Sequence, residues 1–168
     1  MHGEARVPPL KALRILGAVI VVVAGFIALL NLLGNHEAWA GFLFLLHWTM
    51  ADGAKPEALP RSIAGSLVGL GAASLLVVLP PLLGASGSLL ALAVILALIY
   101  AQIRAQATVA VNMATMLFLT VGTIPHLQAN AQLVQILLSL LLGVAYFGGL
   151  ALAAGWVAKR RAAKPSAA

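Results

Sequence analysis

His47 and Asn112 stand out among the few side chains able to do chemistry within the long apolar runs of this sequence; the others include Asn31, Thr49, Gln102, Thr108, Thr115, Thr120 and Ser139. A polar group in hydrocarbon is costly, so one that occurs there is a candidate for function. A neutral imidazole at His47 could hydrogen-bond a solute or take up a proton as pH falls. The amide of Asn112 can both donate and accept, and with Thr49 and Thr115 these residues outline a path for a small neutral or anionic solute. The same groups could instead make hydrogen bonds between helices, worth about 0.6 kcal/mol on average in membranes. No Asp or Glu falls within an apolar run. That disfavours a proton carrier built on a buried carboxylate and a cation pore ringed by acids.

The usual catalytic signatures are missing. Without cysteine there is no thiolate nucleophile, thiolate metal site or disulfide framework. No glycine-rich phosphate loop and no Gly-x-Ser-x-Gly occurs, and His36-Glu37 and His126 lack the spacing of a His-Glu-x-x-His zinc helix. The chain is therefore expected not to be an enzyme and to need no cofactor or metal. Its net charge of +6 would suit a nucleic-acid partner in a polar protein. Here the basic residues have another use, set out below, and no nucleic acid is expected.

The elements that must hold these residues follow from composition. Hydrophobic residues make up 62% of the chain and charged ones 8%, against about 25% charged in soluble domains, so lipid rather than water surrounds most of the fold. A helix needs roughly 20 apolar residues to cross about 30 Å of hydrocarbon. Four segments meet that requirement with little argument: residues 15–33, 63–79, 89–103 and 133–157. Two more, 38–51 and 107–121, are shorter or more polar. Polar and proline-containing stretches part the first three runs, Pro80-Pro81 ends the run at 63–79, and Gly84 to Ser88 makes a tight turn. The expectation is an all-α, polytopic membrane helix bundle, residues 1–168 forming one transmembrane domain with a basic tail at 158–168.

Charge decides whether 38–51 crosses. With six spans and the N-terminus in the cytoplasm, all ten Lys and Arg residues fall on the cytoplasmic side. If 38–51 merely dipped in and returned, Lys55, Arg61, Arg104, Lys159, Arg160, Arg161 and Lys164 would all be exported. Six transmembrane helices with both termini cytoplasmic is the consistent arrangement. Trp39, Trp48, Tyr100 and Trp156 near span ends fit an interfacial aromatic belt. Ala38-Trp39-Ala40 has the look of a signal-cleavage site. The preceding run of roughly 19 apolar residues nonetheless exceeds the 7 to 15 of a signal core, and His36-Glu37 intervene, so the segment is read as a retained first span.

Six spans divide into two halves of three, a plan that admits a three-plus-three inverted repeat with the short runs 38–51 and 107–121 in matching places. Small residues four apart occur as Gly65, Gly69 and Ala73, and as Ala145, Gly149 and Ala153 beside Gly143. Such faces let helices approach closely, within one chain or between copies in a homo-oligomer. Trp39-Ala40-Gly41-Phe42-Leu43, the small-residue third span and the Leu133 to Gly143 run together resemble the YcdZ-like bacterial inner-membrane proteins, the family of domain of unknown function 1097. The likeness covers roughly residues 12 to 158, although the loop 52–62 is less glycine-rich than that family leads one to expect. The resemblance implies a multi-pass protein of the bacterial inner (cytoplasmic) membrane and no assigned activity. Two functions stay open: a channel or transporter for a small neutral or anionic solute, and a structural or regulatory membrane subunit.

Overall fold

The computed structural model describes residues 8–129 and 132–162, so Arg6, Lys164 and the end of the basic tail lie outside the described residues. Among the described residues seven α-helices follow one another: α1 (Pro9–Leu32), α2 (Trp39–Met50), α3 (Leu59–Leu83), α4 (Ala85–Ile103), α5 (Met113–Gly122), α6 (Pro125–Ala129) and α7 (Leu133–Ala162). A 3-10 turn, Pro56–Ala58, leads into α3. The described residues are all-helical or irregular, with no strand. Four helices among the described residues are long and apolar enough to cross a bilayer: α1, α3 with its leading turn, α4 and α7. By contrast α2 has 12 residues and α5 has 10, about 18 and 15 Å of helix.

Two boundaries differ from expectation. Pro80-Pro81 do not end the third run but lie inside α3, which continues to Leu83. A proline lacks its own N–H donor, yet its carbonyl still accepts: Pro80 O takes the N–H of Gly84 at 2.8 Å. Gly84, at φ 61° and ψ −140°, then turns the chain in a single residue and α4 begins at Ala85. The fifth run does not become helical at Ala107 either, because Asn112 is the N-cap of α5. Its Oδ1 accepts from Ala114 N at 2.9 Å, and Thr115 Oγ1 accepts from Asn112 N at 3.1 Å. This reciprocal cap fixes the helix start six residues later than the hydrophobicity of the run suggests.

The two short helices are the innermost. Side chains of α2 (Phe44, Trp48), α5 (Phe118) and α7 (Leu140) are at most 1% exposed and share one core with Leu70 of α3. Trp48, expected in an interfacial belt, is instead part of this core, and its Nε1 donates to Lys55 O at 3.0 Å. The helix α2 runs parallel to α7. Asn35, just before α2, donates to Gln135 O at 2.8 Å, Gly41 N donates to Ser139 Oγ at 3.3 Å, and Gly41 abuts Gly143. Ser139 thereby satisfies an N–H of the first turn of α2 that has no partner within the helix.

The second parallel pair is α3 with α5, since Gly65 meets Asn112, Gly69 meets Thr115 and Phe118, and Ala73 meets Gly122. α4 folds back along α3 through the Gly84 turn. α1 leans on the other side through Phe26, whose ring centroid lies 4.8 Å from that of Phe147 and 5.2 Å from that of Phe42. Most of α1 and α4 faces outward.

Small residues thus do two different things. Gly65, Gly69 and Ala73 are consumed by contact with α5, and Gly143 by contact with Gly41. Ala145, Gly149 and Ala153 are exposed, and a side chain at Gly149 would meet nothing. At Gly143 an added Cβ would stand 2.6 Å from the Gly41 Cα, and at Gly69 2.9 Å from the Phe118 Cβ, distances that force the helices apart. Gly69→Leu and Gly143→Leu should each destabilise the fold by about 1–3 kcal/mol or more, as overpacking does. Gly149→Leu should leave thermal unfolding in mild detergent close to that of the unaltered protein.

Candidate functional site

The last turn of α2 carries His47, and the way the helix stops determines what surrounds it. Ala51 N donates to His47 O at 2.8 Å and Ala54 N to Trp48 O at 2.9 Å, with Gly53 at φ +62° and Ala54 at φ +55°. This left-handed pair folds the chain back and sets Asp52 beneath His47, against the first turn of α3. There Asp52 accepts from the Arg61 guanidinium through Oδ1 and from the Ser62 hydroxyl through Oδ2. His47 Nδ1 stands 3.7 Å from Asp52 Oδ2, beyond hydrogen-bonding range, and has no hydrogen-bond partner although it is buried.

The opposite wall comes from the start of α5. Asn112 Nδ2 donates to Arg61 O at 2.9 Å, tying the α5 cap to the first turn of α3. Thr108 and Met113 complete a cavity of about 300 Å³ shared with His47, Asp52, Arg61 and Asn112. The Asp52 side chain is 5% exposed while that of Arg61 is 56% exposed, so the carboxylate sits at the bottom of the pocket and the guanidinium at its rim. Burial works against the charge on Asp52. The hydrogen bonds from Ser62 and Arg61, helped by the positive charge of Arg61, outweigh it and hold the carboxyl below the usual carboxylate range.

Of the four residues expected to line a solute path, the structure brings two together. His47 and Asn112 face the same cavity. Thr49 turns outward, its hydroxyl donating to Leu45 O at 2.7 Å in its own helix, and borders an apolar groove formed with Trp39, Phe42 and Val121. Thr115 is fully buried, and its hydroxyl is occupied by the α5 cap and by Ala110 O at 2.7 Å. Asn112 itself lies at the end of a helix rather than midway along one.

Asp52, Arg61 and Ser62 were not anticipated. The sequence placed Asp52 in a loop and counted no carboxylate within the bundle, whereas the side chain is buried beside His47. The available signal was spacing: a carboxylate five residues beyond the only ionisable residue of a short run, followed by Arg61-Ser62 at the start of the next helix.

Among the described residues no three His, Asp or Glu side chains converge as metal ligands would. Comparison with family models, with curated proteins and with solved structures gives no match to the chain. What the pocket does has to follow from its own groups: an unpartnered imidazole nitrogen, a neutralised carboxylate, and a guanidinium with further N–H donors open to solvent.

The lowered Asp52 value sets the sign of its pH effect. A carboxyl held low in the folded state contributes its full stability above the usual value of 3.8 and loses it as pH falls toward and through the lowered one. Melting temperature should therefore be insensitive to this group from neutral pH down to about pH 5, then fall as acid protonates Asp52. Asp52→Asn should cost about 1–3 kcal/mol at neutral pH and flatten this acid limb, as followed by thermal unfolding in detergent.

Proposed function

We propose that this chain crosses the bacterial inner membrane six times, with both termini in the cytoplasm, and forms a path for a small neutral or anionic solute that is entered through the His47 pocket. The observation that carries this reading is that His47, whose buried Nδ1 has no hydrogen-bond partner, lines a polar cavity where the two short helices meet α3. A polar atom that the fold leaves without a partner is available to a ligand.

The packing supports six crossings. α2 and α7 run in one direction and α3 and α5 in the other, with α1 and α4 reversing into their neighbours, so each of these six helices opposes the one before. α2, at about 18 Å, would cross by local thinning or by tilt of its neighbours. In that topology the pocket lies at the cytoplasmic end. An inverted repeat is supported by an exchange of partners: the middle helix of each half, α2 or α5, packs along the last helix of the other, α7 or α3. The inner membrane as the location rests on the sequence resemblance to YcdZ-like proteins alone.

One observation favours the second reading, a structural or regulatory subunit without transport. Beyond His47 the core closes with Phe44, Phe118 and Leu140, each fully buried, so a solute reaching the far side needs these helices to move apart.

Uptake of radiolabelled glycerol and of methanesulfonate into reconstituted vesicles separates the two. Flux above that of protein-free vesicles is expected for at least one of them. It should fall by about tenfold in His47→Leu, the factor for one lost hydrogen bond of about 1.4 kcal/mol. Asn112→Leu is a weaker test, because the amide also caps α5 and its loss costs about 1 kcal/mol of stability. No flux of either solute through well-folded protein would favour the subunit reading.

A further inference from the structure

We infer that the His47 pocket takes up a small monovalent oxyanion, a carboxylate or sulfonate, together with one proton, the anion resting on Arg61 and the proton on His47. This rests on the solute-path reading above and names the substrate class and coupling of the same site.

The charges are few enough to count. Asp52, from the loop after α2, and Arg61, from α3, are the charged groups that line the pocket with His47, while Lys55 and Glu57 stand on the outer side of Arg61 and offset each other. α5 carries no charged residue, and α7 carries none before Lys159. With His47 neutral, Asp52 and Arg61 cancel and the pocket has no net charge. Protonating His47 leaves one uncompensated positive charge at the buried floor of the pocket, which is unfavourable unless an anion enters. A monoanion restores neutrality. Proton and anion therefore favour each other, and the linkage is reciprocal: each raises the affinity for the other by the same factor.

The geometry supplies a means. In the structure Arg61 is paired with Asp52 Oδ1, and the neighbouring Oδ2 stands 3.7 Å from a His47 Nδ1 that has no hydrogen-bond partner. A protonated Nδ1–H has Asp52 Oδ2 within reach, and a small closure of the 3.7 Å gap shares the carboxylate between imidazolium and guanidinium. Arg61, which is 56% exposed, is then freer to turn its remaining N–H donors into the cavity. Its planar fork suits the paired oxygens of a carboxylate or sulfonate. The N-terminus of α5, with Met113 on the cavity wall, adds the positive end of a helix dipole on the same side. A cavity of about 300 Å³ holds an anion of a few heavy atoms.

Methanesulfonate and dimethyl sulfone test this. They are nearly the same shape, and neither changes charge over the range in which histidine titrates, so any pH dependence belongs to the protein. Binding of each to the full chain in nanodiscs is measured by calorimetry at about pH 5.5 and about pH 7.5. Methanesulfonate should bind about tenfold more tightly at the lower pH, within the usual range of coupling between sites. In weak buffer near the midpoint it should draw up to one proton per anion from solution. Dimethyl sulfone should show neither effect. In His47→Gln, or in His47→Asn if that variant folds better, methanesulfonate affinity should be the same at both pH values.

Methanesulfonate affinity that does not vary with pH in the unaltered protein, without proton uptake, would overturn the inference and leave the solute pocket standing. A pH dependence that survives in a folded His47 variant would overturn it as well. Failure of both probes to bind at either pH would overturn both the inference and the pocket reading.

Discussion

Inside a bilayer, helices gain little by hiding apolar side chains from one another, because lipid is as apolar as leucine. Close backbone approach has to do much of the holding, and here it does so at two seams. Gly65, Gly69 and Ala73 bring α3 against α5, and Gly41 with Gly143 brings α2 against α7. Each seam joins a short helix to a long one. Without them α2 and α5, at 12 and 10 residues, would have no tight purchase on the interior of the bundle. The buried hydrogen bond from Gly41 N to Ser139 Oγ belongs to the same seam and satisfies a helix-end donor.

The polar pocket is a consequence of those short helices. α2 stops at Met50 and α5 starts only at Met113, while α3 extends past both ends with Arg61 and Ser62 in its first turns. The space this leaves is filled by side chains of the connecting segments, which is why Asp52 and Thr108, rather than mid-helix residues, line it with His47. The backbone there is held in unusual conformations. Ala54, Ala105 and Ala107 all have φ between 50° and 55°, and all three lie in the two segments that border the pocket. Left-handed conformations of residues other than glycine cost of order 1–3 kcal/mol each and persist only where surrounding structure over-determines them.

Much of the architecture was legible because hydrophobic runs report directly on the solvent around a helix. Six apolar helices occur close to the six runs, and the small-residue face of α3 packs within the chain, one of the two uses its pattern allowed. What could not be read depends on local geometry that composition does not carry. Hydrophobicity continues smoothly through Ala107 to Val111, so the start of α5 is visible only in the capping box of Asn112 and Thr115. Pro80-Pro81 reads as a break, yet two missing donors in a last turn are tolerated when Gly84 supplies the turn. Trp48 resembles an interfacial anchor by its place near a span end, but its indole is buried and bonded to Lys55 O. At the site, His47 and Asn112 were identifiable as rare polar residues. Asp52 was hidden by its position just beyond an apolar run, where a carboxylate is ordinarily solvated.

The central claim is that two short helices cross the membrane and end in a polar pocket open to the cytoplasm, on the opposite side from the α1–α2 loop. The chain has no cysteine, so single cysteines can be introduced and labelled without background. Thr108→Cys, exposed on the pocket wall, and His36→Cys, exposed in the α1–α2 loop, can each be treated with a membrane-impermeant maleimide in intact cells and in inverted membrane vesicles. Six crossings predict that Thr108→Cys is labelled only in inverted vesicles and His36→Cys only in cells. Labelling of both positions from the same side would mean that α2 does not cross, and would contradict the account.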